Sequence, residues 1–175
     1  MPVVMKKDIV DGMPFLKKQI LKHKDYSTKT MEDLFTKAKL EKSKTLEANY
    51  FKSVIAYNDG KGNFTIQEMP LDAQLSCINA TLICDVNHDN KPDIIMGGNN
   101  FNFEPQYGRL DASRGEILLN KGNKQFEFVQ NPKSGMNISG QIKDIKPLSI
   151  KGNNYVLIGV NNDKPRLFKI NTVYK

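Results

Sequence analysis

From about residue 46 onward the apolar runs are short, and Asn, Gly and Asp interrupt them at close intervals. Three stretches share one grammar: SVIAYNDGKGNFTIQEM, EILLNKGNKQFEFVQ and YVLIGVNNDKPRLFKI. Each is an apolar run, an Asn- or Gly-rich turn, then alternation around a phenylalanine (Phe64, Phe126, Phe168). Runs this short, bounded by residues that tolerate left-handed backbone, make strands and hairpins. Two further pairs lie between them. CINATLICDVNHDNKPDIIMGG reads as strand, polar loop, strand, and QIKDIKPLSIKGNNYVLIGV is its weaker echo. This is an internal repeat. Units of about four short strands suggest propeller blades, and a closed ring takes typically about 4–8 of them. The chain holds one full blade, part of one before it and most of one after it. The expected fold is mainly β with a small α-helical segment: a partial β-propeller.

Residues 1–45 follow a different grammar and are expected to be a helical segment packed on the propeller residues 46–175. Asp11-Gly12 precedes MPFLKKQILKH, with Pro14 placed for a first turn. Leu16 and Ile20 fall on one face, widened by Phe15 and Leu21. Thr30 and Asp33 make a capping-box pattern ahead of Met31, Leu34, Phe35 and Ala38, which recur at helical spacing. The charge is uneven as well. The chain carries +7, and residues 1–44 hold 11 Lys against 6 acids, whereas the rest is near balance. A basic helical segment can touch phosphates or anionic lipid. It lacks aromatic interleaving for base stacking and any long basic run, so a solvated Lys-rich face is the plainer reading and nucleic acid is not an expected partner.

The loop DVNHDNKPD, residues 85–93, carries the most chemistry. A hard cation such as calcium takes about 6–8 oxygens at short range. Asp85, Asn87, Asp89 and Asp93 stand at positions 1, 3, 5 and 9, and Lys91 supplies the main-chain carbonyl of position 7 with its ammonium turned away. Position 6 needs a turn residue, and Asn90 accepts left-handed backbone best after glycine. Three carboxylates this close repel one another unless a cation offsets them. The other reading is a metal-free polar hairpin turn held by Asx-type bonds. An EF-hand is excluded, because the flanks read as strands and Met96 stands where that motif has Glu. Catalytic acids fit poorly, since acid–base work wants carboxylates with separated environments in a pocket.

Other chemistries find little support. His23 and His88 are the only histidines, too few for a His-based zinc site or a nucleophile–His–acid triad. His88 is expected to be exposed. Cys77 and Cys84 match no zinc spacing and read as buried free thiols ahead of a disulfide. Asn99 and Asn100 read as turn residues, with sugar contact as the rival. Arg109 and Asp111 in GRLDASRG are candidate ligand contacts on a long loop. An Arg–Asp pair tying that loop down, with Arg114 nearby, is the plainer expectation. No apolar run of about 20 residues is present to cross a membrane. The start, MPVVMKKDIVDG, does not read as a signal peptide, so the chain either stays in the cell or is a piece of a longer exported protein.

The loop, then DIIMGGN, then a strand ending LLNKGNKQF, resembles the FG-GAP or VCBS repeat. The ordered series PFLKKQILKHKDYSTKTMEDLF, LEANYFKSVIAYNDGKGNF, LDAQLSCINATLICDVNHDNKPDIIMGGNN, YGRLDASRGEILLNKG and SGQIKDIKPL resembles the end of ASPIC/UnbV-type (cartilage-acidic-protein-like) bacterial repeat proteins, over almost the whole chain. That resemblance implies a seven-bladed type of propeller, placement outside the cytoplasm, and a binding or scaffolding role. It implies calcium at Asp85, Asn87, Asp89 and Asp93. Asn90 departs from the family's usual Gly and lowers the expected affinity. The expectation is therefore a non-enzymatic, calcium-binding propeller module that binds protein or carbohydrate or supports a neighbouring domain, with self-association through exposed strand edges. The rivals are a propeller hydrolase or lyase with acids in other blades, and a basic intracellular binding module.

Overall fold

The computed structural model describes residues 4–103 and 108–171. The chain divides into two compact units, Met1–Asn49 and Tyr50–Lys175.

The first unit is built from short helical pieces: α1 (Lys6–Gly12), a 3-10 turn (Pro14–Lys18), α2 (His23–Ser27), α3 (Met31–Leu34) and α4 (Lys37–Glu41). The continuous helix expected over MPFLKKQILKH does not form. Pro14 starts only a 3-10 turn, and Lys22 is extended with ψ 148° before α2 begins. The expected capping box is present: the Asp33 N–H donates to Thr30 Oγ1 at 3.3 Å, and the Thr30 N–H donates to Asp33 Oδ2 at 2.8 Å. The helix behind it ends early, because Phe35 is extended. Ile9, Leu16, Ile20, Tyr26 and Leu34 make the small core, with Val10 and Phe35 packed against it. Phe15 and Leu21, expected on that buried face, are exposed. Where the helix breaks, their spacing no longer aims them at the core.

The second unit is mainly β. Among the described residues it holds nine strands in three antiparallel sheets. The first pairs β1 (Val54–Asn58) with β2 (Phe64–Glu68). The second is a four-strand meander of β3 (Ile78–Cys84), β4 (Asp93–Gly98), β5 (Glu116–Gly122) and β6 (Gln125–Val129). The third joins β7 (Ile142–Ile150), β8 (Asn153–Val160) and β9 (Arg166–Lys169). All five strand pairs read from the sequence are present. Two of the hairpins turn on two residues with positive φ: Asn123 and Lys124 at 50° and 63°, Lys151 and Gly152 at 50° and 76°. Such turns match the right-handed strand twist.

The sheets pack face to face around β4. Ile95 and Ile117 on one face meet Ile145, Val156 and Ile158 of the third sheet. Ile94, Met96 and Leu118 on the other meet Ala73, Ile55 and Met69. Every residue of β4 is buried. A fully buried Ile or Met contributes about 2 kcal/mol, so this strand anchors the unit. Its run of apolar residues without alternation is what burial on both faces requires. The Gly97-Gly98 end lets it pass close to neighbouring chain: a Cβ on Gly98 would collide with the Cys77 carbonyl, and one on Gly97 with Ile142. A short helix, α5 (Asn131–Ser134), begins with Pro near its start and ends on Gly135 at φ 73°, and it returns Met136 to the core.

Candidate cation-binding turn

The loop between β3 and β4 curls around the side chains singled out from the sequence. Asp85 uses both carboxylate oxygens. Oδ1 accepts the Asp89 N–H at 3.1 Å, and Oδ2 accepts the Asn90 N–H at 2.8 Å. Asn87 Oδ1 shares the Asp89 N–H at 3.1 Å. Asp89 Oδ1 accepts the Lys91 N–H at 2.9 Å. Asn90 has φ 64°, the left-handed turn its type allows. His88 shares that conformation at φ 60° and is exposed. The side-chain oxygens of positions 1 and 3 thus converge on the Asp89 N–H, while both Asp89 oxygens are taken by Lys91.

Asp93 is placed differently. It is fully buried. Its Oδ2 accepts the Val86 N–H at 2.9 Å, and its Oδ1 accepts the Asn120 N–H at 2.8 Å. Asn120 also donates from Nδ2 to the Pro92 carbonyl at 3.1 Å. One carboxylate thus ties the start of the loop, the start of β4 and the end of β5. Asn120 is a site residue that reading the loop alone misses, because it lies 27 residues away.

Lys91 corrects one expectation. Its ammonium does not turn away but stands 3.2 Å from Asp89 Oδ2. The crowded acids attract the nearest flexible cation. Burial raises the Asp89 carboxyl, but the N–H and ammonium of Lys91 and the Asn87 amide outweigh it, leaving the group below the ordinary carboxylate value. Cys84, at the end of β3, is pushed up by burial and by the Asp93 and Asp85 charges. Its thiol is therefore a poor source of thiolate, and Cys84 and Cys77 are both free of any disulfide. Both are partly exposed, less sheltered than expected.

The side chains singled out from the sequence offer oxygen only, three carboxylates and one amide. That chemistry suits a hard cation rather than zinc. Among the described residues no three His, Cys, Asp or Glu side chains gather as a metal-binding group, so the bend would depend on amide and carbonyl oxygens as well. The left-handed Asn90 and the preformed side-chain bonds fit such a use.

Arg109 and Asp111 do not pair. Among the described residues no ion pair joins either of them to the other or to Arg114. The Arg109 guanidinium lies 5.1 Å from the Phe101 ring centre, and Asp111 is exposed. The loop is closed at its base by backbone bonds between Asn100 and Leu110, at 2.8 and 3.0 Å.

Asn99 is a buried tie and not a sugar contact. Its Oδ1 accepts from the Ser113 N–H at 2.9 Å and the Ser76 hydroxyl at 2.8 Å. Its Nδ2 donates to the Ser113 and Gly140 carbonyls at 2.8 and 2.7 Å. Glu116 completes the network, accepting from the Ser113 hydroxyl and the Arg114 N–H, both at 2.9 Å. Burial raises its carboxyl above the ordinary value, against those two bonds. The partners lie up to 41 residues away in sequence, which hides the network from local reading. The only sequence signal is a polar Asn directly after two glycines on an otherwise apolar strand.

A scan of protein-family models finds no match to this chain, and searches of curated proteins and of solved structures find none either. Among the described residues no helix is long and apolar enough to cross a membrane.

Proposed function

We propose that residues 50–175 are a calcium-stabilised part of a β-propeller of the FG-GAP/VCBS kind, with no enzymatic chemistry, acting outside the cytoplasm in recognition of a protein or glycan or in support of a neighbouring domain. The observation that carries this reading is β4. It is buried on both faces between packed antiparallel sheets, and it begins on the acid that closes the oxygen-rich bend. Sheets of two, four and three strands suit one blade with parts of its neighbours. Asp85, Asn87, Asp89 and Asp93 would hold the ion through side-chain oxygens, and Lys91 through its main-chain carbonyl. The ion supplies fixed positive charge that offsets the carboxylates. The protein's own bonds keep the bend in shape, so that β3 and β4 hold register. Self-association through open strand edges is part of the same proposal.

Thermal melting with and without calcium tests it. A ligand at a hundredfold excess over its Kd stabilises a fold by about 2.7 kcal/mol, and the melting temperature rises by several degrees. Asp89→Ala removes that rise while leaving the chelated protein folded. Identical melting curves in calcium and in chelator would sink the proposal.

A further inference from the structure

We propose that the first unit docks on an anionic lipid surface, with its lysines meeting headgroup phosphates and Leu21 entering the acyl boundary. Lys6, Lys7, Lys17 and His23 line one concavity, in which Asp11 is the carboxylate. Lys6 Nζ donates to the Leu21 carbonyl at 2.7 Å, which sets Leu21 beside this basic hollow. Leu21 is 77% exposed. Pro14 forms part of the wall, and its chain neighbours Met13 and Phe15 are exposed too. Residues 1–44 carry 11 Lys against 6 acids, so the field around the hollow is positive.

The exposed side chains decide between anionic partners. A nucleic acid offers phosphates and flat bases, which reward aromatic faces. Here Phe15 already packs edge-on to Phe35 at 6.5 Å, with Lys39 Nζ 4.4 Å over its ring, and Tyr26 is buried. The other large exposed groups of the unit, among them Val4, Met13, Leu21 and Met31, are aliphatic or thioether. Such groups gain nothing from a phosphate backbone but partition into an acyl boundary. Lysines beside them gain from anionic headgroups within a Debye length.

Co-sedimentation of the full chain with vesicles tests this. Binding is expected to phosphatidylglycerol/phosphatidylcholine vesicles at low salt, with little to phosphatidylcholine alone and loss at high salt. Lys6→Gln and Lys7→Gln each weaken partitioning by about fivefold. Leu21→Ser weakens it by about tenfold, with an unchanged melting temperature because the residue is exposed. Absence of binding to the anionic vesicles overturns the proposal. So does tighter binding to polyphosphate or RNA that Leu21→Ser leaves as in the parent, since that assigns the hollow to a soluble polyanion. Calcium-dependent melting is independent of every one of these outcomes.

Discussion

Two strands of the second unit are entered through Lys-Pro: β4 through Lys91-Pro92-Asp93, and β9 through Lys164-Pro165-Arg166. The residue after proline separates them. Asp93 turns inward, is fully buried, and takes N–H groups from two different segments. Arg166 stays at the surface and pairs with Asp163 at 2.9 Å, three residues back, with both side chains 40% exposed or more. One turn is thereby tied to a strand outside its own hairpin, and the other to residues within three positions of Asp163. A buried carboxylate on fixed donors is held strongly, because removing it strands those donors. An exposed ion pair is screened by solvent. Similar turn grammar therefore yields a structural junction in one place and a plain surface corner in the other. The bend proposed to take calcium is the one with the junction.

The contrast breaks first at Asp93. Asp93→Ala leaves the Val86 and Asn120 N–H groups without their acceptor at the junction of loop and sheet and is expected to destabilise by about 3 kcal/mol, about 10 °C in melting temperature. Asp93→Asn keeps one acceptor and loses about half as much. Denaturant titration measures both, and a loss no larger than that of a surface substitution would erase the distinction.

Glu116 sharpens it, being a second buried acid but one whose burial outweighs its two donors. Its folded-state carboxyl is raised above the ordinary 4.5. The folded protein therefore holds this proton more tightly than the unfolded chain does. Its contribution is fully present below about pH 4.5 and is lost as pH rises through the raised value. Glu116→Gln removes that downward slope, so the variant gains on the parent across the window, as read by denaturation at successive pH values. The smallest effect belongs to Arg166→Ala, which shifts the melting temperature by no more than about 2 °C. A larger loss would show that the second corner is also structural.

The hairpins were legible because each carries its cause locally. Asn123-Lys124 and Lys151-Gly152 sit where two positive φ angles are needed, and apolar runs flank them. The Thr30–Asp33 cap and the left-handed Asn90 were legible for the same reason: their partners lie within a few residues. The helix over MPFLKKQILKH was not. Its apolar spacing is compatible with a continuous helix, but the chain folds back through a 3-10 turn and buries only Leu16 and Ile20. The turn of Lys91 toward Asp89 was missed because a flexible side chain follows the local field, not the spacing of ligands.

The order of residues settled the mainly β character of the second unit, the places where strands reverse, and the oxygen-rich composition of the bend. Those properties depend on backbone preferences and side-chain types a few positions apart. Tertiary structure alone decided that β4 is buried on both faces, that Asp93 serves Asn120, and that Asn99 joins Ser113 to Gly140. Each of these needs groups from distant segments brought within bonding distance, and no local pattern records which segments will meet.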